Sequence, residues 1–463
     1  MNNFAKLIVA GVAVFVALQT IRPTISSRPA TAEIQAPPEV KRILEAHCYS
    51  CHSDQRRLSW FDEIVPGYWL VRHDVLIARS HLNFSTLGAK PAASQRAALF
   101  EAVNMIQLGA MPLPSFLKLH PEARVSPEEI AALKAYLAPW TPAPRPVAET
   151  SSGSAARTDA ASDSVAKAAH TPVSLANVRP EGNGFQFDPS FKDWKPISTT
   201  DRGDNNTFRF ILGNDVAVNA IRAGRISPWP DGARLAKIAW QQKPGPDGLV
   251  YPGKFVQIEL MLKNASLYKD SEGWGWGRWR GMDLKPYGKD AAFVGECTSC
   301  HRPLRGNDYV YTLPISAAKI GGAEVVNNRA AMLPASLPYQ PLDWNAITMY
   351  VDPKTHTMAT LYGNDVALQI VKRSGDLANT VTAPDYPPKS VLALVTWRQR
   401  DDPHWFGARI PDLPQSVEFV QVESSGRRNS YRSFGGPALQ EDRKEDEAAR
   451  MHFILTLTPV ELP

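Results

Sequence analysis

Two copies of Cys-x-x-Cys-His account for all four cysteines of the chain: Cys48-Tyr49-Ser50-Cys51-His52 and Cys297-Thr298-Ser299-Cys300-His301. Two thiols one helical turn apart can bond the two vinyl groups of one porphyrin. The histidine that follows puts an imidazole under the iron as proximal ligand. A redox dithiol and a zinc site built jointly from both pairs are the competing chemistries. Two copies, each followed at once by His and with no cysteine left over, favour covalent haem. The spacing predicts two covalently bound c-type haems, one on Cys48, Cys51 and His52, the other on Cys297, Cys300 and His301.

What completes each iron differs between the two. Met111 stands in Gly109-Ala110-Met111-Pro112-Leu113-Pro114, just ahead of a helix start. A proline-rich loop there can hold a thioether against iron, which raises the potential and closes the site, as electron transfer requires. Met105 and His120 compete for that role, and a lone Met is as readily a packing residue. After His301 comes Arg302-Pro303-Leu304-Arg305-Gly306-Asn307-Asp308-Tyr309-Val310, with no Met loop. The second distal face is therefore expected to be open, and an open haem binds small molecules or does chemistry on them.

Covalent haem of this kind is attached outside the cytoplasm, so an export signal is expected. Lys6 precedes the apolar run Leu7 to Leu18, which is too short for an ordinary spanning helix, and Ala30-Thr31-Ala32 has the form of a cleavage site. Residues 1–32 read as a signal peptide or as a retained N-terminal membrane anchor, and either places the bulk of the chain in the periplasm. The net charge of +5 is mild and its lysines and arginines are dispersed. That pattern carries no nucleic-acid footprint.

Several elements must position these groups. Residues 35–141 read as a helical module. Val40, Ile43 and Leu44 recur at helical spacing before Cys48. Ser126-Pro127-Glu128-Glu129 is a capping box that opens a helix with Ile130, Leu133 and Leu137 on one face. Residues 142–185, rich in Pro, Ala and Ser, read as a flexible linker. Beyond it the chain repeats. Asp193-Trp194 returns as Asp343-Trp344, Gly213-Asn214-Asp215-Val216-Ala217 as Gly363-Asn364-Asp365-Val366-Ala367, and Trp240 as Trp397. Phe255-Val256-Gln257-Ile258-Glu259 pairs by pattern with Phe419-Val420-Gln421-Val422-Glu423. Two β-rich α+β domains, 186–330 and 331–463, are expected, the second without a haem motif. The predicted fold class is multidomain, an α-helical cytochrome c-like domain followed by these two.

Residues 38–140 resemble the haem-binding domain of bacterial cytochromes, through His47 to His52, Pro66-Gly67-Tyr68-Trp69-Leu70, His81-Leu82-Asn83-Phe84-Ser85 and Met111-Pro112. That resemblance implies a mono-haem electron-transfer module. Residues 190–315 resemble cytochrome P460 and its gas-binding relative cytochrome c′-beta. The carriers are Asp231-Gly232 to Lys237, Phe255 to Glu259 followed by Lys263, and Cys297 to His301 followed by Asn307-Asp308-Tyr309-Val310. By this resemblance Lys237 is the residue that cross-links to the porphyrin edge, and Glu259 is the distal carboxylate. Leu394 falls opposite Lys237 in the haemless repeat, and Glu423 opposite Glu259.

The expected function is that of an exported di-haem cytochrome. Its cytochrome P460-like haem oxidises hydroxylamine or a related small nitrogen species, and its N-terminal haem passes electrons to a redox partner protein. The rival readings are an NO- or CO-binding protein like cytochrome c′-beta, and a plain electron carrier.

Overall fold

The computed structural model describes residues 3–138, 174–318, 326–369, 384–424, 428–443 and 445–463. The chain divides into two compact units, Met1–Trp140 and Thr141–Pro463. Most of the expected linker lies outside the described residues.

The first unit is helical: α1 Asn3–Leu18, α2 Pro38–His47, α3 Tyr49–His52, α4 Gly67–His81, α5 Ala92–Gln107 and α6 Pro127–Leu137. The capping box forms as the sequence predicts. Ser126 accepts from the Glu129 N–H, the Glu129 carboxylate accepts from the Ser126 N–H, and Pro127 starts the helix. α6 buries Leu133 and Leu137 and packs on both α2 and α5. Among the described residues no helix is long and apolar enough to cross a membrane.

The segment after α1 is built into this unit as a strap. Ile25 and Ile34 are buried, and Ile25 packs with Val65, Tyr68 and Val75 beside Cys51. Tyr68 Oη donates to Pro23 O (2.5 Å) and Trp69 Nε1 to Ile21 O (2.8 Å). The N–H groups of Thr31 and Ala32 both donate to Ser85 O. Gly88 lies so close beneath the strap that a Cβ there would sit 2.5 Å from the Glu33 carbonyl oxygen, which is why this position has no side chain.

The second unit holds both copies of the repeat. The first comprises β1 Lys195–Arg202, β2 Thr207–Gly213, α7 Asp215–Arg222, β3 Arg234–Pro244, β4 Val250–Lys263, β5 Trp274–Arg280, β6 Lys285–Pro286 and α8 Val294–His301. The second comprises β7 Asn345–Asp352, β8 Thr357–Gly363, β9 Val391–Asp402, β10 Trp405–Gln421, β11 Ser430–Gly435, β12 Gln440–Asp442 and α9 Glu447–Thr456. Asn214 caps α7 by accepting from the Ala217 N–H, and Asn364 accepts from Ala367 in the same way.

The copies are not separate bodies. All strands among the described residues join one 12-stranded sheet that runs from β1 through β4 to β7 and on to β10, with β10 pairing back to β1. Asp201 pairs with Arg409 across β1–β10. The equivalent pair, Val351 with Val250, joins β7 to β4. This reciprocity is what a two-fold relation between the copies produces.

Side chains alternate across each strand. One face builds a core common to both halves, with Phe208, Ile238, Trp240 and Ile258 against Met358, Val395, Trp397 and Val417. Trp240 and Trp397 are fully buried, and each donates its indole N–H to a carbonyl, Glu461 O (2.6 Å) and Ala331 O (2.9 Å). Truncating either to Ala removes about 3–5 kcal/mol. The opposite faces stay distinct, one lined by Ile211, Leu235, Trp274 and Trp276, the other by Leu361, Leu392, Leu394 and Ile454.

Two sequence expectations need correction. Residues 178–185 are structured: Phe185 joins the common core, and buried Glu181 accepts from the N–H groups of Arg278, Tyr287 and Gly288. The residue across from Leu394 is Glu418, not Glu423, just as Glu259 lies across from Lys237. Two similar apolar-polar runs of one strand were matched in the wrong register; only the ladder decides it.

Candidate haem sites

In the first unit Cys48 ends α2, and Cys51 and His52 lie on the single turn of α3. His52 Nδ1 is 3.0 Å from Leu82 O at the end of α4. Burial pushes the His52 imidazole below its ordinary pKa, keeping it neutral and ligand-ready. Burial likewise pushes the Cys48 thiol up to about 12. An apolar cavity between α2, α5 and α6 is lined by Cys48, Val40, Leu44, Leu99, Val103 and Leu133. Cys48 opens on this slot while Cys51 packs beside the Ile25 and Tyr68 cluster; two thiols and an imidazole are the donor set that covalent haem needs.

The competitors of Met111 sort themselves differently. His120 is buried and stacked between Phe61 (4.9 Å) and Phe116 (4.0 Å). Its Nε2 lies 2.9 Å from buried Asp62 and its Nδ1 3.2 Å from Glu122. Both nitrogens are committed, so His120 is a structural residue. Met111 sits in the turn after α5, its N–H donating to Met105 O (3.1 Å).

In the second unit α8 carries Cys297, Cys300 and His301 against the outer face of the first copy. His301 is packed edge-on by Trp276 (4.5 Å) and by Tyr311 (4.9 Å). Its Nδ1 is 2.6 Å from Tyr309 O, so Nε2 is the free nitrogen. The loop that presents Tyr309 O is held by a buried ion pair, Lys263 Nζ to Asp308 Oδ1 at 2.7 Å. Asp308 also accepts from the Trp229 N–H (2.8 Å). The sequence singled out Lys263 and Asp308 as motif members; their ion pair fixes the loop whose Tyr309 carbonyl meets His301.

Lys237, Glu259 and Arg278 form one cross-strand row on this face, in register across β3, β4 and β5. Lys237 Nζ pairs with Glu259 Oε2, and Arg278 Nε is 3.1 Å from Oε1. Burial lowers the Lys237 ammonium to about 8, although Glu259 pulls it the other way. Burial raises the Glu259 carboxyl, but Lys237 and Arg278 outweigh it and hold it at about 2. Burial lowers His301 to about 4; Lys237 and Arg278 add to that, while the Tyr309 carbonyl and Glu259 oppose it.

Arg209, on the same face of β2, escaped the sequence reading, because a strand arginine carries no motif. Burial lowers it to about 9, and its buried Nε has no hydrogen-bond partner; nor has the buried Nε1 of Trp276. Three cations around one carboxylate, with orphaned donors, suit a group that brings its own carboxylates. The residues present therefore fit haem.

The second copy has filled the equivalent space. Glu418 is 2% exposed. Arg450 of α9 binds it with both Nε (2.9 Å) and Nη2 (2.5 Å), and Tyr431 Oη donates to it (2.5 Å). Leu394 stands where Lys237 would, and Ile454 of α9 packs on it. α9 occupies the place in chain order that α8 holds in the first copy, with no cysteine.

Fold and sites together define a haem protein. Residues 8–139 match the family described as Haem-binding domain, and residues 189–312 match Cytochrome P460. The chain thus carries the fusion that its motifs led us to expect, a haem-binding domain followed by a cytochrome P460 domain. No curated protein matches the chain.

Proposed function

We propose that this is a di-haem cytochrome that oxidises hydroxylamine or a closely related nitrogen species at the haem of Cys297, Cys300 and His301. The haem of Cys48, Cys51 and His52, with Met111 as sixth ligand, takes the electrons and passes them to a partner protein. The observation that carries this reading is the row Lys237–Glu259–Arg278 facing the histidine helix.

Bound haem would supply a redox-active iron with an open coordination position. The chain supplies the rest. A Lys237 amine near pKa 8 has an appreciable neutral fraction near neutral pH, as a nitrogen that would bond the porphyrin edge requires; replacing an edge C–H by C–N releases two electrons and two protons, which a peroxide would take up as it is reduced to water. Once attached, it no longer offers Glu259 a cation, so the carboxylate keeps Arg278 and gains basicity. Glu259 is then a base for the N–H and O–H protons that leave with the withdrawn electrons. Arg209 and Arg278 hold anionic groups in the same pocket.

We place the bulk of the chain in the periplasm, because covalent attachment of this kind occurs there. Of the two fates of the N-terminus, retention is supported by the strap. Cleavage after Ala32 would remove buried Ile25 from beside Cys51.

Proteolysis of the purified protein tests the central claim. The haem peptide containing Cys297–His301 should be joined to a peptide containing Lys237, and the protein should be reduced by hydroxylamine. A free Lys237 peptide together with tight NO or CO binding would replace this reading with a gas-binding one.

A further inference from the structure

The turn from β9 to β10 in the haemless half reaches into the haem-bearing half. His404 Nδ1 lies 2.7 Å from Tyr311 O, and the Trp405 ring meets the Tyr311 ring at 5.5 Å. Trp405 is itself gripped by the first half. Its Nε1 donates to Asp204 (3.2 Å), and the Arg202 guanidinium covers its ring at 4.4 Å. Arg202 and Asp204 are buried and paired to each other. On its other side Tyr311 packs against His301 and donates its hydroxyl to Cys300 O (2.7 Å). An unbroken set of contacts runs from the β1 end through Trp405 and Tyr311 to the proximal histidine.

The arrangement is reciprocal. The β3–β4 turn of the first half lays Leu249 and Tyr251 on the outer-face cluster of the second. There Tyr251 meets Tyr350, and Tyr350 meets Phe453 of α9. Each half thus sends a hairpin tip onto the other's outer face, and in the first half that face is the haem site.

We propose that the haemless repeat braces the proximal side of the second haem, with His404 and Trp405 acting through Tyr311 as positioning residues for His301. This rests on the reading that His301 is a haem ligand. One hydrogen bond at Nδ1 fixes a point on the imidazole and leaves the ring free to turn about it. Ring contacts from Trp276 on one side and Tyr311 on another fix its plane. Ligand orientation and basicity are what such outer contacts control. Tyr311 is held in place by Trp405 and His404, because removing the half-buried indole takes away the ring that packs edge-on against the Tyr311 ring.

The test uses the full-length, haem-loaded chain and three variants: Trp405→Ala, Trp405→Phe and His404→Ala. The readouts are the iron–histidine vibration and the reduction potential of each haem, with haem content measured alongside. Trp405→Ala should shift both signals of the second haem and neither of the first. Trp405→Phe should restore them, and His404→Ala should give a smaller shift in the same direction. Unchanged signals in Trp405→Ala at full haem content overturn the brace. If Trp405→Ala does not fold, unchanged signals in His404→Ala do so. Absence of haem from the 297–301 peptide of the wild-type chain would instead overturn the underlying reading, which keeps the two failures distinct.

Discussion

Arg450→Leu removes the guanidinium that neutralises Glu418 in the haemless half. Glu418 is 2% exposed, and after the substitution only the Tyr431 hydroxyl remains on it. Breaking one side of a buried ion pair costs about 3–5 kcal/mol. The Arg450 side chain is 35% exposed, so water reaches the pair from one side and the low end, about 3 kcal/mol, applies. That is about 150-fold in the folding equilibrium, and a fall of about 4 °C in the unfolding midpoint of a unit this size. Chemical and thermal denaturation of the haem-loaded chain measure it. The double variant Glu418→Leu/Arg450→Leu should recover most of the loss, since two aliphatic side chains leave no unpaired charge. Haem content should not change. A loss under about 1 kcal/mol, or a double variant no more stable than the single one, would refute the claim that this pair fills a vacated haem site.

Lys237→Arg should lose the cross-link and keep thioether-bound haem; in the wild type the yield of cross-link formed in vitro should climb as pH rises through about 8, where burial sets the amine. Glu259→Gln should lower hydroxylamine turnover about 10²–10⁴-fold at unchanged haem content, as loss of a general base does; turnover within threefold of wild type would remove Glu259 from the chemistry. Met111→Ala should let CO perturb the first haem, which the wild-type chain keeps closed; a wild-type chain in which both haems bind CO excludes Met111 as a ligand. Intact-mass measurement of protein purified from its native membranes or periplasm should find residues ahead of Glu33 still attached, because Ile25 and the Tyr68–Pro23 hydrogen bond belong to the haem-binding unit.

Haem chemistry was legible in the sequence because Cys-x-x-Cys-His states its own geometry: three ligating groups within five residues need only one helical turn to converge. The capping box at Ser126 was legible for the same reason, since it is a local hydrogen-bond exchange between residues three apart. The repeat itself showed through Trp240 and Trp397, whose size and burial leave no substitute. What depended on pairing between distant strands was not legible. The match of Glu259 to Glu418 is a matter of ladder register, and similar runs along β10 offered a false alternative. Arg209 and Arg278 join Lys237 and Glu259 only because β2 to β5 lie side by side. His404 and Trp405 reach Tyr311 only because β10 returns to β1 and closes the sheet. The sequence alone determined which residues can hold haem, because those ligands are neighbours in the chain. Only the tertiary structure decided which charges gather on the face of His301, what packs against that histidine, and what fills the same face of the second copy. Those contacts join residues that the chain keeps far apart.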